Sequence, residues 1–255
     1  MTTRGRRLSV GLIHFTADLR ARLQARLTEH ERREHALEGR RHAAVAVVLV
    51  DSDAERHDGD PLTAGSIDIS FLPGELSAAE RRRLDGRMTG VAGGAAFLLC
   101  RRASRLSRHA GQWALPGGRI DDGETPLVAA LRELDEELGL RLDRDSVVGW
   151  LDDYPTRSGY VITPVVLWGG ADPHLKAAPD EVFAVYRIGL QALLDSEPRF
   201  ISIPESDRPV LQLPLGNDLI HAPTAAILFQ LQQVGLLGRS GERVDHLEQP
   251  VFAWR

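Results

Sequence analysis

The sequence is poor in cysteine and in long apolar runs, and each shortage excludes a class of protein. Cys100 is the only cysteine among 255 residues, so an intrachain disulfide and a cysteine-rich metal site are both excluded. No stretch approaches the roughly 20 apolar residues of a membrane-spanning helix. Arg4, Arg6 and Arg7 lie near the amino terminus, but no clear cleavage signal follows them. We therefore expect a cytoplasmic protein that does not act at a membrane.

An excess of positive charge is also missing. The chain has 31 lysines and arginines and 36 acidic residues, so its net charge is −5. This charge argues against nucleic acid as the partner. Lys176 is the only lysine, so arginine supplies nearly all the positive charge and a single arginine is weak evidence for a binding site. The 43% of hydrophobic and 26% of charged residues are typical of globular domains with a substantial core.

The first part of the chain is predicted to be helical. Over residues 17–37, leucines recur every four residues among alternating arginines and glutamates, which is typical of an amphipathic helix. We expect residues 1–40 to form a helical extension and residues 41–255 to form the main domain.

Two apolar runs, residues 43–50 and 93–100, are predicted to be buried strands of that domain. The polar stretch between them, about residues 52–92, indicates an insertion after the first core strand. Within it we expect a short strand over residues 66–71, and a helix from the capping box at Ser77 to about Met88.

The rest of the chain alternates between strand and helix signals. We expect one principal helix early in this part, another near the end, and short strands between and after them. The pattern predicts an α/β fold in which helices flank a mixed sheet, an α/β/α sandwich. The predicted elements are strands over residues 147–154, 160–168, 179–188, 199–203 and 209–213, and helices over residues 126–138, 191–194 and 223–236.

The stretch from Gly118 to Leu140 combines a glycine-rich loop, a helix and a stop signal. Thr125 can cap the helix, Pro126 suits its first position, and Gly139 suits the left-handed residue that ends it. At about 100° per residue, four leucines fall on one narrow face that we expect to be buried. They are Leu127, Leu131, Leu134 and Leu138.

Three carboxylates share the other face of this helix. Glu133, Glu136 and Glu137 have spacings of three and four residues, at which helical side chains are neighbours. Like charges so arranged destabilise a helix and raise each other's pKa values unless a cation lies among them. Oxygen ligands favour Mg²⁺ first and Mn²⁺ second. The alternative is a solvated acidic surface without a ligand.

The whole pattern resembles the complete Nudix box. Gly118, Glu124 and the run from Arg132 to Leu140 match all nine specified positions at the required spacing. The resemblance implies a Nudix-type α/β/α sandwich and a metal-dependent hydrolase. It also implies metal ligation by the Gly118 carbonyl with Glu133, Glu136 and Glu137.

Further roles follow from the same resemblance. Glu133 or Glu137 would help to activate water, and Glu124 would orient Arg132 or a metal-bound water. A glutamate outside the box often completes such sites, and Glu181 is the candidate. Its alternative role is an exposed charge at the edge of a strand.

Four arginines precede the box, and arginine forks match phosphate oxygens well. The stretch around them resembles the second signature of the coenzyme A diphosphatase branch of Nudix hydrolases, and residues 159–166 also resemble that branch. Cys100, Ser107 and Leu115 depart from the signature, and Arg108 lies one place late. The matching residues are Leu98, Leu99, Arg102, Ala103, Gly111, Pro116, Gly117 and Gly118, and the candidate phosphate ligands are Arg101, Arg102, Arg105, Arg108 and Gly117.

The resemblance implies hydrolysis of coenzyme A or its acyl esters to adenosine 3′,5′-bisphosphate and the 4′-phosphopantetheine part. One alternative keeps the chemistry but takes ADP-ribose, a dinucleotide such as NADH, or an oxidised nucleotide as the substrate. Another is a catalytically silent module that senses a nucleotide, although such a module would be expected to lose box glutamates. Family analogy also suggests a homodimer.

Overall fold

The computed structural model describes residues 13–52, 94–102, 112–215 and 218–254. The predicted insertion therefore lies, beyond Ser52, outside the described residues, together with its strand over 66–71 and its helix over 77–88. Arg105 and Arg108 are outside them as well. No helix in the described ranges has both the length and the apolar character needed to cross a bilayer.

Helix α1 spans Ala17–Glu29 and is shorter than the predicted 17–37. Thr16 caps it, and Leu19, Leu23 and Leu27 are buried as the pattern predicted. The chain leaves the helix after Glu29 because two distant carboxylates compete for its backbone. The N–H groups of Arg33 and His35 donate to the side chains of Asp152 and Asp153 at 2.8 and 3.0 Å, so they are lost to helical bonding.

In the part of the chain that the structure describes, the central sheet has eight strands. In chain order they are β1 (Arg41–Ser52), β2 (Gly94–Arg102), β3 (Trp113–Ala114), β4 (Gly117–Arg119), β5 (Val147–Trp150), β6 (Tyr154–Pro155), β7 (Tyr160–Gly170) and β8 (Val182–Gly189). The main path runs β3-β2-β1-β7-β5, while β4 pairs with β1, β6 with β7 and β8 with β2. The pair β1 and β7 is parallel and the other pairs are antiparallel, so the sheet is mixed.

The predicted strand over residues 147–154 is divided into β5 and β6. Between them, the Asp152 N–H donates to the side chain of Gln230 at 2.9 Å, and the Asp153 N–H donates to the Arg33 carbonyl at 3.0 Å. These backbone groups bond to other parts of the chain instead of to the sheet, which interrupts the strand.

Both faces of the central sheet are covered, as expected for an α/β/α sandwich. Helix α2 (Pro126–Leu138) packs on one face, against β1 and β4. The other face is covered by α1, the short α3 (Leu190–Asp195) and α4 (Thr224–Gln230). A second sheet of three antiparallel strands packs there too, with order β11-β10-β9. Its strands are β9 (Arg199–Ile203), β10 (Ser206–Leu215) and β11 (Asp218–His221).

The predicted last helix over residues 223–236 is present but changes its winding. After α4 the chain continues as a π-helical segment, Leu231–Leu236. The Arg26 guanidinium of α1 donates to the Gly235 and Leu236 carbonyls at 2.9 and 2.7 Å, so the first and last helices are joined at this end.

Candidate active site

The local sequence of α2 fixes both of its ends. The Thr125 hydroxyl accepts a hydrogen bond from the Val128 N–H at 3.3 Å, and Gly139 takes a left-handed conformation with φ 63°. The helix therefore spans the predicted residues. Its buried face is shifted from the predicted leucine stripe, because the small residues Ala129 and Ala130 lie against the sheet. Leu134 and Leu138 are buried beside them, while Leu127 and Leu131 are only partly buried.

Two glycines bring strand β4 against β1 and α2. Gly117 has φ 149°, and a Cβ atom there would lie 2.3 Å from the Ala44 carbonyl oxygen. A Cβ atom on Gly118 would lie 2.3 Å from a carboxylate oxygen of Glu133. A side chain at position 117 would push the strand away from the backbone of β1, whereas one at position 118 would displace the carboxylate of Glu133.

The N–H of Gly117 faces a carboxylate, whereas the backbone groups of Gly118 face β1. Pro116 accepts a hydrogen bond from β1 at 2.8 Å and Ile120 donates one to β1 at 3.1 Å. Hydrogen-bonded positions alternate along an antiparallel pair, so Gly118, two residues from each of them, is also a hydrogen-bonded position. Gly117 is a position that does not bond to β1, and its N–H donates to Glu137 Oε2 at 3.1 Å. The geometry thus favours the Gly117 carbonyl over the predicted Gly118 carbonyl as a ligand.

Glu137 is the buried carboxylate of the site, with 4% of its surface exposed. Its pKa is raised to about 7, mainly by burial and in smaller part by the charges of Glu133 and Glu181. The Gly117 N–H and the positive charge of Arg102 act in the opposite direction. Glu181 and Arg102, both outside the box, therefore lie close enough for their charges to act on Glu137.

Arg132 holds the remaining box carboxylates. Its Nη1 donates to Glu133 Oε1 at 2.9 Å and to Glu136 Oε2 at 3.0 Å. Its Nε donates to Glu124 Oε1 at 2.9 Å, and this hydrogen bond lowers the pKa of Glu124. Glu124 also accepts from the Asp121 N–H at 3.0 Å. The predicted pairing of Glu124 with Arg132 therefore ties the glycine-rich loop to the helix.

The donor set suits a hard divalent cation, although its side chains do not already converge. Within the ranges that the structure describes, no three acidic, histidine or cysteine side chains are arranged as a ready metal site. Arg132 is bonded to Glu133 and Glu136. Burial nevertheless raises the pKa of Glu133, with Glu136 and Glu181 adding to the effect. Like-charged oxygen ligands whose pKa values are raised fit Mg²⁺ or Mn²⁺.

The two adjacent arginines of β2 lie on opposite faces of the sheet. Arg101 is 2% exposed, its Nη1 donates to Asp218 Oδ2 at 3.1 Å, and its guanidinium lies over the Trp113 ring. It is on the side away from α2, so the prediction that it binds substrate phosphate is not supported. Arg102 is on the α2 side, where its charge acts on Glu137.

The loop that positions Glu181 was missed by sequence reasoning. The Lys176 N–H donates to the Leu138 carbonyl at 2.7 Å, and the Ala178 N–H donates to the Glu137 carbonyl at 2.8 Å. These bonds attach the loop to the last turn of α2, directly before β8. Because they involve only backbone groups, no side-chain signal in the sequence indicates them.

Comparison with known proteins identifies the fold around this site. Residues 88–202 match the family model of the NUDIX domain. The chain contains a Nudix domain. The matched Nudix range includes the box and Glu181, whereas β1, which pairs with β4, precedes it.

The Nudix relatives match only part of their own length. The chain is 41% identical over 99 residues to the uncharacterized Nudix hydrolase NudL of Escherichia coli O6:H1, covering 38% of this chain and 52% of the relative. The NudL protein of Citrobacter koseri is 39% identical with the same coverage. The chain thus spans about half the length of the curated relatives that it matches.

Solved Nudix structures show weaker similarity. A MutT/nudix family protein from Enterococcus faecalis shares 17% identity, with 84% of this chain and 68% of that chain covered and a TM-score of 0.44. RenU from M. smegmatis shares 20% identity, with 80% and 91% covered and a TM-score of 0.41.

Proposed function

We propose that the chain is a metal-dependent hydrolase of nucleoside diphosphate-linked substrates, and that coenzyme A or an acyl-CoA is its substrate. The observation that carries the proposal is the meeting of Glu133 and Glu137 with the glycines of β4. The charge of Glu181, from outside the box, acts on both glutamates. An arrangement kept only as a solvated acidic surface would not need a buried carboxylate or a close glycine turn.

The ligands of the metal would be oxygens. Glu133, Glu136, Glu137 and Glu181 would provide carboxylates, and the Gly117 carbonyl would provide a backbone oxygen. When bound, Mg²⁺ or Mn²⁺ would neutralise phosphate charge and lower the pKa of a bound water. Four carboxylates balance such a cation and the nearby guanidinium groups without needing a histidine or a cysteine.

The chain itself would supply the base and the phosphate contacts. Glu137 would accept a proton from the attacking water, and the Gly117 N–H fixes the position of its carboxylate. Glu133 is the alternative base. Glu124 would keep Arg132 in place, and Arg102 would bind a phosphate oxygen. Arg102 Nε is buried without a hydrogen-bond partner in the described part of the chain.

The reaction would be a direct attack of water on one phosphorus of the diphosphate. The new P–O bond forms to the water oxygen, the bridging P–O bond breaks, and the leaving phosphate takes the electron pair. No side chain needs to form a covalent intermediate. From coenzyme A, the products would be adenosine 3′,5′-bisphosphate and 4′-phosphopantetheine.

The choice of coenzyme A rests on the signature residues around β2 and β4 and on residues 159–166, which resemble the coenzyme A diphosphatase branch. The departures at Cys100, Ser107 and Leu115 leave ADP-ribose, NADH and oxidised nucleotides as the comparison substrates.

A substrate panel tests both the hydrolase activity and the choice of coenzyme A as the substrate. The purified chain with Mg²⁺ would be given coenzyme A, acetyl-CoA, ADP-ribose, NADH and an oxidised nucleoside triphosphate, and products would be separated by liquid chromatography with mass detection. We expect the highest kcat/KM for coenzyme A or acetyl-CoA, and no turnover with excess EDTA. A clear preference for ADP-ribose or NADH would overturn the coenzyme A assignment alone. Failure to hydrolyse any of them, with nucleotide binding retained, would favour the sensing module.

A further inference from the structure

Strand β8 contains a β-bulge at Phe183. Arg101 of β2 is opposite Ala184, but the next residue, Arg102, is opposite Val182, so Phe183 is an extra residue in the ladder. Val182 and Ala184 are 3% and 2% exposed, whereas Phe183 is 52% exposed. A bulge changes the direction of side chains and is frequent beside active sites. Here it takes a large aromatic ring out of an otherwise buried strand.

This bulge lies at the end of β8 that adjoins the carboxylates. Phe183 is two residues after Glu181, whose charge raises the pKa values of Glu133 and Glu137. The Val182 N–H donates to the Ala178 carbonyl at 2.8 Å, and the Ala178 N–H donates to the Glu137 carbonyl at 2.8 Å. Two backbone hydrogen bonds therefore connect the start of the bulge to helix α2.

We propose that Phe183 supplies affinity for the diphosphate substrate by stacking against its nucleobase. This inference rests on the proposed function and adds to it the group that recognises the uncharged end of the nucleotide. The carboxylates with their metal, together with Arg102, would bind only the phosphates of the substrate. A nucleobase presents a flat π-face of about the size of a phenyl ring, and base–aromatic stacking is a sequence-tolerant source of affinity. The exposed ring, two residues after Glu181, would provide that surface.

The test separates the base from the phosphates. Mg²⁺ and a non-hydrolysable ligand would be titrated into the full chain by calorimetry. One ligand is α,β-methylene-ADP, and the other is methylenediphosphonate, which has the phosphonates without the nucleoside. Phe183→Ala should raise the Kd of α,β-methylene-ADP roughly fivefold or more and leave that of methylenediphosphonate unchanged. Phe183→Tyr keeps the ring and should restore binding.

Phe200→Ala is the matched control, because Phe200 is also 52% exposed but lies on β9 of the second sheet. It should change neither Kd. In turnover, Phe183→Ala should raise KM with little change in kcat, since a contact made equally in the ground and transition states is lost.

Several results would overturn the inference. They are an unchanged Kd for α,β-methylene-ADP in Phe183→Ala, an equal loss for both ligands, an equal loss in Phe200→Ala, or no binding of α,β-methylene-ADP by the unaltered chain. Weaker binding of coenzyme A in Phe183→Ala, with the Kd of α,β-methylene-ADP unchanged, would indicate that the ring contacts the pantetheine arm. That result would also overturn the inference. The proposed function fails on a different result, the absence of hydrolysis, which leaves the calorimetric comparison readable.

Discussion

Two buried carboxylates, Glu137 and Asp152, show how differently the same chemical group can be used in one fold. They are 4% and 1% exposed. Asp152 receives hydrogen bonds from Arg243 at 2.9 and 3.0 Å, from the Arg33 N–H at 2.8 Å and from His30 at 2.9 Å. Burial acts to raise its pKa, but these donors outweigh burial and hold the pKa below its usual value.

Glu137 has the opposite surroundings. Burial is the main cause of its raised pKa, its backbone donor is the Gly117 N–H, and the nearby charges of Glu133 and Glu181 oppose ionisation. Asp152 is satisfied by the protein and joins the amino-terminal segment to the carboxyl-terminal one. Glu137 has one backbone donor and like charges nearby, and a cation would remove that conflict. The donors around a buried carboxylate, more than its burial, therefore separate a structural role from a chemical one.

The strongest test of this contrast is Glu137→Gln. The amide keeps the size of the side chain but cannot ionise, so we expect turnover with Mg²⁺ to fall by about 100-fold or more. The thermal midpoint should stay the same or rise, because a buried charge is removed. Steady-state kinetics and thermal unfolding of the same samples measure the two effects. Retained turnover would exclude Glu137 from the chemistry.

Asp152→Asn should give the reverse result. The amide leaves Arg243 and His30 without their carboxylate, so the free energy of unfolding should fall by about 3 kcal/mol. Turnover per folded molecule at low temperature should stay near that of the unaltered chain. Urea unfolding measures the stability. The turnover is assayed at 15–20 °C, well below the thermal midpoints of about 45 °C and above that are usual for domains from mesophiles. A large loss of activity with normal stability would remove the distinction between the two carboxylates.

The sequence predicts those elements of the fold whose bounds are set by residues close to them in the chain. Helix α2 has its predicted bounds because Thr125, Pro126 and Gly139 act within the helix itself. Its period of 3.6 residues also places the box glutamates together. Helix α1 is shorter than predicted because its continuation bonds to Asp152 and Asp153, more than 100 residues later in the chain. Repeated leucines carry no information about such a competitor.

The site was predicted less completely where it depends on pairing between strands. The choice between the Gly117 and Gly118 carbonyls follows from the phase of β4 against β1, which a single sequence does not show. Arg101 and Arg102 differ in role because alternate residues of a strand face opposite sides. Both arginines directly follow a predicted buried strand over residues 93–100, so this alternation is a signal that the sequence contains.

Gly118→Ala sharpens the comparison by moving a carboxylate without changing any charge. The added Cβ would lie 2.3 Å from Glu133 Oε1, and the flexible end of that side chain would have to shift. Since small displacements at a reacting centre reduce rates strongly, we expect turnover to fall about tenfold with little loss of stability. Gly159→Ala is a matched control away from the site. Its Cβ meets no atom within 4 Å, but its φ is 85°, so it should lose stability and keep its turnover.

The smallest effects should appear in the pH dependence of stability. Asp152 should make stability rise with pH, and Glu137 should make it fall. The lowered pKa of Asp152 means that its contribution is complete above the unfolded value of about 3.9 and is lost as pH falls through the folded value. The raised pKa of Glu137 means that the folded state binds the extra proton. In EDTA, stability should therefore decrease as pH rises from about 4.3, the unfolded value, to about 7.

Urea unfolding at half-unit pH steps can separate the two slopes, neither of which exceeds about 1.4 kcal/mol per pH unit. Between pH 4.5 and 7, the stability of Glu137→Gln relative to the unaltered chain should increase, while that of Asp152→Asn should stay constant. Below pH 4, the deficit of Asp152→Asn should shrink, because the native carboxylate becomes protonated. Parallel curves for all three proteins would show that the two environments do not differ in the way that their hydrogen bonds indicate.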